Sequence, residues 1–179
     1  MPAYRRTKNL KDLLAPSKMR SHSSVIKPGC FKCNKKCDLC TNLLLESEFF
    51  TSVATGHIYK IKEELSCDSC NVIYIAQCTK CNLQYVGSTS TQFKIRFRNH
   101  KSAMKTNKKT CEVATHFNSS SHTLTDFKFI CIEAIRDSHG IDNKLLTREA
   151  YWIAQLNTLR PYGLNKRAEF RSKNRITYN

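Results

Sequence analysis

Residues 72–87, VIYIAQCTKCNLQYVG, hold two short runs that favour β-structure, separated by a polar turn. Residues 72–76 and 83–87 are rich in β-branched and aromatic side chains, and each run contains one tyrosine. Two such runs joined by a short polar segment are typical of an antiparallel hairpin. The stretch therefore predicts two neighbouring strands that bring Tyr74 and Tyr85 close together.

The residues after this hairpin predict helices and one further strand. Helical spacing extends over residues 92–104 with a cap at Ser90 or Thr91, and a shorter helix covers residues 112–117. A third strand is expected at residues 127–135, and a last helix is expected from a cap at Asp142 or Asn143 to about Leu159. Together these elements predict an α+β domain, in which helices flank a three-stranded antiparallel sheet.

The chain divides by composition into four parts. Residues 1–29 form a basic arm interrupted by proline, which is either a solvated tail or a DNA contact, and residues 30–70 form a small cysteine-rich segment. Within that segment, two β-rich runs meet at Gly56 and predict a second hairpin. The α+β domain occupies residues 71–167, and a basic tail follows at residues 168–179.

Charge and composition limit the class of partner. The 179 residues carry a net charge of +16, and 40% of them are hydrophobic, which is enough for one core. A field of this sign favours a polyanion such as nucleic acid, with a membrane surface as the alternative. No run approaches the ~18 apolar residues of a membrane span, and no secretory signal is visible. We therefore expect a nuclear protein, or a cytoplasmic one before import, that is not secreted.

Eight of the ten cysteines form four C-x2-C pairs. Thiols in a reducing compartment remain available as metal ligands, and C-x2-C suits a tight turn that offers two sulfurs to one zinc ion. The sequence therefore predicts two structural Zn2+ sites of four thiolates each. The pairs, in chain order, are Cys30/Cys33, Cys37/Cys40, Cys67/Cys70 and Cys78/Cys81.

The sequence leaves the grouping of these pairs open. Joining the second pair to the third would clamp the second hairpin, and the first would then meet the fourth in the turn between the tyrosine strands. Alternatively, sequence neighbours share each site. We expect Cys111 and Cys131 to be packing residues. His116 and His122 are expected on a surface loop, where the alternatives are a contact with DNA or replacement of a cysteine ligand.

Glu149 interrupts the apolar face of the last predicted helix. A carboxylate on such a face is costly unless it is paired or binds a metal, so Glu149 is a candidate functional residue, with a structural salt bridge as the alternative. The apolar positions around it are Leu145, Leu146, Trp152, Ile153 and Leu156.

Charged residues also mark the helix that follows the first hairpin. Arg96 and His100, four residues apart, fall at the edge of its apolar face and are expected to point toward the sheet. Its outer face is basic and suits phosphate contacts, although a solvated face has the same pattern. Those basic residues are Lys94, Arg98, Lys101 and Lys105.

These residues together resemble the GIY-YIG nuclease superfamily. The first motif is Val72-Ile73-Tyr74 and the second is Tyr85-Val86-Gly87, with Val72 in place of the family's glycine and Val86 in place of its isoleucine. More closely, the chain resembles the C-terminal endonuclease module of Penelope-like retroelements, which includes residues 4–10, YRRTKNL, and a cysteine segment before the nuclease.

The resemblance implies a DNA endonuclease that nicks one strand with one Mg2+ or Mn2+. It implies that Tyr74 orients the water or the phosphate, that Tyr85 is the general base or its relay, and that Arg96 stabilises the phosphate. It further implies that His100 assists proton transfer, that Glu149 binds the divalent metal, and that Asn165 holds the site by hydrogen bonds.

The implied partners are DNA and a reverse transcriptase or element RNA, without a membrane or a small-molecule substrate. Because 179 residues cannot house a polymerase, we expect a fragment, a solo copy or a repurposed gene product. The alternative function is that of a zinc-dependent nucleic-acid-binding protein that has lost cleavage.

Overall fold

The computed structural model describes residues 27–33, 37–119, 121–136 and 139–166. Most of the basic arm expected at residues 1–29 and the whole of the basic tail at 168–179 lie outside the described residues. The elements, in chain order, are β1 (Gly29–Phe31), α1 (Asp38–Asn42), β2 (Phe49–Thr51), β3 (Ile58–Lys60), β4 (Glu64–Ser66), β5 (Val72–Cys78), β6 (Leu83–Thr89), α2 (Phe93–Lys105), α3 (Glu112–Phe117), a 3-10 turn (Leu124–Asp126), β7 (Phe127–Ala134) and α4 (Ile141–Gln155).

The main sheet has three antiparallel strands in the order β6-β5-β7. Strand β5 is central and almost fully buried, which explains its run of Val, Ile and Tyr instead of an alternating pattern. The chain reverses between β5 and β6 with Asn82 at positive φ, a conformation that asparagine tolerates. The α+β sheet predicted from residues 72–87 and 127–135 is confirmed.

Two helices pack against this sheet, and each begins at a different residue from the one predicted. In α2 the N-cap is Gln92, which makes no side-chain capping bond, so the caps expected at Ser90 or Thr91 are wrong. Helix α4 starts after Gly140 and ends at Gln155 instead of near Leu159. The N-cap residue Gly140 has a positive φ, which glycine adopts easily, and it makes no side-chain capping bond. The start of α4 therefore depends on the conformational freedom of glycine and not on a side-chain cap.

The cysteine-rich segment packs directly on the main sheet. Strands β1 and β4 pair in parallel, and β2 and β3 form the predicted hairpin. Backbone hydrogen bonds of 2.8 Å run from Leu45 N to Phe129 O and from Phe129 N to Leu43 O. Residues 43–45 of this segment therefore lie directly beside strand β7. One continuous hydrophobic core includes residues of the cysteine-rich segment and of the α+β domain. The predicted domain boundary at residue 70 therefore stays a prediction.

Within the described residues, no helix combines the length and apolar character needed to cross a lipid bilayer.

Candidate active site and metal clusters

Tyr74 is the centre of a buried polar cluster. It comes from the central strand β5 and is fully buried. Its hydroxyl accepts a hydrogen bond from Arg96 Nε at 2.9 Å and lies 2.7 Å from His100 Nε2. Arg96 and His100 are one helical turn apart on α2, so a single face of that helix delivers both to the sheet. The sequence prediction that both point toward the sheet agrees with these contacts.

Gly87 allows the two tyrosines to sit together, a role that sequence reasoning missed. It lies opposite Tyr74 in the β5–β6 register, and the Tyr74 and Tyr85 rings are 6.4 Å apart. A Cβ at position 87 would lie 2.5 Å from the Tyr74 hydroxyl and 2.7 Å from the Tyr85 ring. No real Cβ tolerates such distances, so this motif position requires glycine for close packing.

Burial determines the protonation states in this cluster. It raises the pKa of both Tyr74 and Tyr85, so both are neutral phenols near pH 7. The neighbouring Tyr74 hydroxyl raises the pKa of Arg96, which stays charged. Burial, assisted by the Arg96 guanidinium, lowers the pKa of His100 to about 3, and the imidazole is therefore neutral.

The lowered pKa of His100 predicts a loss of stability in acid. The unfolded chain binds a proton at His100 below about pH 6.5, whereas the folded protein does so only near pH 3. This residue should therefore lower the free energy of unfolding by about 2 kcal/mol between pH 7 and pH 5. Denaturant titrations of wild type and His100→Gln at both pH values measure this change in the free energy of unfolding, which should be smaller in the variant. His57→Gln, at an exposed position, should follow wild type; equal pH dependence in all three proteins would contradict the assignment.

Glu149 approaches the cluster from helix α4. It is half-buried, and its carboxylate accepts a hydrogen bond from Ser88 Oγ on the edge strand β6. Ser88 is the neighbour of Gly87, which faces Tyr74 in the β5–β6 register, and the negative charge of Glu149 contributes to the raised pKa of both Tyr74 and Tyr85. Ser88 has no role in the sequence prediction, because only the fold brings β6 against α4.

Asn165 fastens the chain after α4 to strand β6. Its side-chain oxygen accepts a hydrogen bond from Val86 N at 2.9 Å, and its Nδ2 donates to Val86 O at 2.8 Å. The side chain is buried, and Val86 lies between Tyr85 and Gly87 in the second motif. Asn165 therefore holds the strand that carries Tyr85 in place.

A cleft of about 470 Å³ opens beside the buried cluster. Tyr85, Arg96 and His100 line it together with Cys111, whose Sγ lies 3.5 Å from His100 Nδ1. Cys111, predicted to be a packing residue, is half-buried and packs against the hydrophobic core, and it also contacts the cluster. Cys131, by contrast, is fully buried, as predicted.

The basic outer face of α2 is only partly available to a ligand. Lys94 forms a salt bridge with Asp68, and Lys101 forms one with Asp38 at 3.1 Å. Arg98 and Lys105 are exposed. Acids of the cysteine-rich segment thus engage two of the four predicted phosphate-binding residues, and the phosphate-binding role of the stripe stays a prediction.

Four cysteines converge in the first of two candidate metal-binding clusters. Their sulfurs lie within 4.8 Å of one another, and two contacts measure 3.6 Å (Cys37 to Cys67) and 3.8 Å (Cys33 to Cys37). Burial raises the pKa of Cys40 to about 11, so a cation is needed if these thiols are to ionise together. The members of this cluster, here the four-cysteine cluster, are Cys33, Cys37, Cys40 and Cys67.

The second cluster combines two cysteines with two histidines. The Cys81 sulfur lies 3.2 Å from His122 Nε2, and His116 Nε2 is buried without a hydrogen-bond partner among the described residues. All four ligand atoms lie within 4.8 Å of one another, as in a tetrahedral zinc site. The members of this cluster, here the cysteine–histidine cluster, are Cys78, Cys81, His116 and His122.

Neither predicted grouping of the C-x2-C pairs is complete: the second pair does meet Cys67 of the third pair, but Cys33 is the fourth member, and the first and fourth pairs do not meet. Cys30 packs against Cys131 in the core, and Cys70 is exposed, with its Sγ 3.8 Å from Asp68 O. Neither belongs to either cluster that the described residues form. The two histidines had been expected on a surface loop, with ligand replacement as the alternative; the structure favours the alternative. Their position around a serine-rich loop was the one signal in the sequence.

This geometry defines a class of site. A buried Tyr–Arg–His cluster with a nearby carboxylate offers charge stabilisation and a metal ligand, which are the requirements of phosphodiester hydrolysis. Residues 70–163 match the family model described as the GIY-YIG catalytic domain. The chain belongs to this nuclease family.

Two solved structures are also similar to the chain. A mutant of the catalytic domain of intron endonuclease I-TevI is 26% identical, with a TM-score of 0.44 over 52% of this chain and 89% of that one. The catalytic domain of homing endonuclease I-TevI is 23% identical, with a TM-score of 0.43 over 54% and 97%, respectively. No curated protein matches the chain.

Proposed function

We propose that this protein is a DNA endonuclease that nicks one strand by hydrolysis with a single Mg2+ or Mn2+ ion. The observation that carries the proposal is the contact of Tyr74 with both Arg96 and His100, with the Glu149 carboxylate bonded to Ser88 on the adjacent strand. A protein that only binds nucleic acid has no need of a buried arginine–tyrosine–histidine cluster beside a cleft. The high positive charge of the chain supports DNA as the substrate.

The residues around Glu149 fit one hard divalent cation. Mg2+ is commonly held by one or two carboxylates, with water and phosphate oxygens completing its shell. Substrate and water oxygens would complete the coordination of an ion held by Glu149. Glu149 would hold the ion, with the Ser88 hydroxyl orienting the carboxylate. When bound, the ion supplies Lewis-acid charge and lowers the pKa of a coordinated water.

The protein side chains would supply the other functions, which are stabilisation of the phosphate, positioning of Arg96 and proton transfer. Arg96 lines the cleft and stays charged, so it can neutralise charge that develops on the phosphate. Tyr74 holds the Arg96 guanidinium in position through the 2.9 Å bond to its Nε. Tyr85 lines the cleft as a neutral phenol, which suits a relay of protons better than a resting base. His100, also neutral, can accept the Tyr74 hydroxyl proton in a hydrogen bond.

Zinc is proposed at both metal clusters as a structural ion. Four sulfurs, or two sulfurs and two imidazoles, within 4.8 Å match the softness and number of ligands that zinc prefers. The cysteine–histidine cluster joins the end of β5 and the turn after it to His116 on α3 and His122 on the following loop. It would therefore stabilise the hairpin that carries both tyrosines.

We further propose an origin in a Penelope-like retroelement, with nuclear action and a reverse transcriptase or element RNA as partner. Support comes from the YRRTKNL sequence at residues 4–10 and from a cysteine-rich segment placed before the nuclease. In such an element the nick supplies a 3′ hydroxyl that primes reverse transcription.

Incubation of supercoiled plasmid with Mg2+ or Mn2+ tests the function. Wild type should convert supercoiled DNA to the open circle, and Glu149→Gln should reduce this rate roughly a hundredfold, because the amide binds a hard cation poorly. Asp142→Asn, an exposed acid on the same helix, is the matched control and should nick normally. Nicking by Glu149→Gln at the wild-type rate would refute the mechanism, and binding without nicking by wild type would favour the binding-only alternative.

A further inference from the structure

A second cavity, of about 380 Å³, lies between the β2–β3 hairpin, strand β7 and helix α4. Three aromatic rings line it, and Tyr151 is 42% exposed. None of these rings belongs to the cleft beside Tyr74. We refer to this feature as the aromatic cavity; its principal residues are Tyr59, Glu63, Arg148, Tyr151 and Trp152.

The rings of the aromatic cavity are fixed by their neighbours. Trp152 contacts Tyr59 edge-on at 5.3 Å and Tyr151 at 5.2 Å, and its Nε1–H donates a hydrogen bond to Glu133. The Tyr59 hydroxyl donates to Gln155 O at 3.2 Å. Such rings need little further ordering when a flat ligand stacks on them, which reduces the entropic cost of binding.

Arg148 adds a planar cation to this surface. Its Nε donates to both carboxylate oxygens of Glu133 at 3.0 Å, and its guanidinium lies 4.2 Å from the centre of the Tyr151 ring. Nucleic-acid bases that are not paired stack on aromatic rings and on arginine planes alike. The aromatic cavity offers both kinds of surface.

The charges around the aromatic cavity indicate which of two ligand classes it binds, nucleic-acid bases or methylated ammonium groups. Lys60 and Lys62 line it and are exposed, which favours a ligand with phosphates. Glu63 Oε1 lies 3.4 Å from Arg136 Nε, while its buried Oε2 has no hydrogen-bond partner within the described part of the chain. Aromatic cages also bind methylated ammonium groups, but a basic peptide would be repelled by a chain of charge +16.

The sheet places this cavity close to the candidate cleavage site. Ser88, Ile73 and Glu133 are paired in one row across β6, β5 and β7. Helix α4 lies over the row, with Glu149 bonded to Ser88 at one end and Arg148 to Glu133 at the other. Strands are about 4.8 Å apart, so the two ends are separated by about 10 Å, or roughly three stacked nucleotides.

We propose that the aromatic cavity binds an unpaired base of the DNA on which the enzyme acts, so that the preferred substrate has a single-stranded stretch beside the site of the nick. The inference rests on the proposed nuclease function for the position of that nick. Base binding itself depends only on the cavity.

A binding experiment without added Mg2+ or Mn2+ tests the proposal. Three labelled probes of equal length are compared: a continuous duplex, a duplex with a short unpaired stretch, and the same duplex with abasic sugars in that stretch. Wild type should bind the probe with unpaired bases about five- to a hundredfold more tightly than the other two. Because Trp152 is the single tryptophan, its fluorescence should also change with that probe.

Variants and controls make the result specific. Tyr151→Ala, at a position that is 42% exposed, should lose the preference, and Tyr151→Phe should retain it. Tyr162→Ala, an exposed tyrosine outside the cavity, should behave as wild type. Equal affinity of wild type for the base-bearing and abasic probes, an unchanged preference in Tyr151→Ala, or a Trp152 response to a trimethyllysine peptide instead of DNA would each overturn the proposal. Plasmid nicking by a protein without base preference overturns this inference alone; base preference without nicking overturns only the nuclease function.

Discussion

Replacement of Arg96 by glutamine is expected to lower the rate of DNA cleavage about a thousandfold. The guanidinium lines the cleft and remains charged, so it is the resident group best placed to stabilise the phosphate during hydrolysis. Glutamine keeps some polarity and length but removes the charge and the Nε donor to Tyr74. Single-turnover plasmid nicking at saturating Mg2+ measures the effect on the chemical step.

Two variants separate catalysis from a general loss of charge. Arg98→Gln, on the exposed side of the same helix, removes the same charge and should cleave at close to the wild-type rate once DNA is saturating. Arg96→Lys should recover only part of the activity, because a lysine cannot reproduce the planar donor set. Retention of activity by Arg96→Gln within about tenfold of wild type, with folding intact, would show that Arg96 is not the phosphate-stabilising residue.

Replacement of Arg96 should also change a property that does not depend on cleavage, the pKa of His100. Its guanidinium is the second cause, after burial, of the lowered pKa of His100. In Arg96→Gln the pKa of His100 should therefore rise, and the acid-dependent loss of stability should shrink. An NMR titration of the His100 ring in both proteins measures the change directly, independently of any cleavage assay.

The main sheet and the pairing of the two tyrosines were predictable because they depend on local patterns. Strand β5 is a continuous apolar run, and a short turn joins it to β6, so alternation and turn chemistry define the hairpin. The spacing of Arg96 and His100 on one helix is likewise local. These features made it possible to predict most of the buried cluster around Tyr74 without the fold.

The grouping of metal ligands could not be predicted, because it depends on contacts between distant segments. Each C-x2-C pair has the same local geometry, and only packing decides which pair meets which. Cys30 packs in the core next to Cys131, while helix α3 supplies His116 and the loop after it supplies His122 in place of the missing cysteines. The pairing of Lys94 with Asp68 is nonlocal for the same reason.

Zinc content should report this nonlocal arrangement directly. Cys67→Ser removes a ligand of the four-cysteine cluster, and we expect the purified protein to fall from two zinc ions per chain to one. The free energy of unfolding should fall by on the order of 5 kcal/mol, because metal binding to a structural site contributes directly to folding. Elemental analysis of the purified protein and denaturant unfolding in the presence of free zinc measure the two effects.

Cys70→Ser is the sharpest control, since it alters the other cysteine of the same C-x2-C pair. Cys70 is exposed and lies outside the four-cysteine cluster, so this variant should keep two zinc ions and wild-type stability. The sequence pattern alone predicts the opposite, because it treats the two cysteines of a pair as equivalent ligands. Loss of a zinc ion from Cys70→Ser, with retention in Cys67→Ser, would therefore refute the cluster that the fold assembles. Loss in both would mean that the whole pair binds the metal and that the four-cysteine cluster rearranges around it.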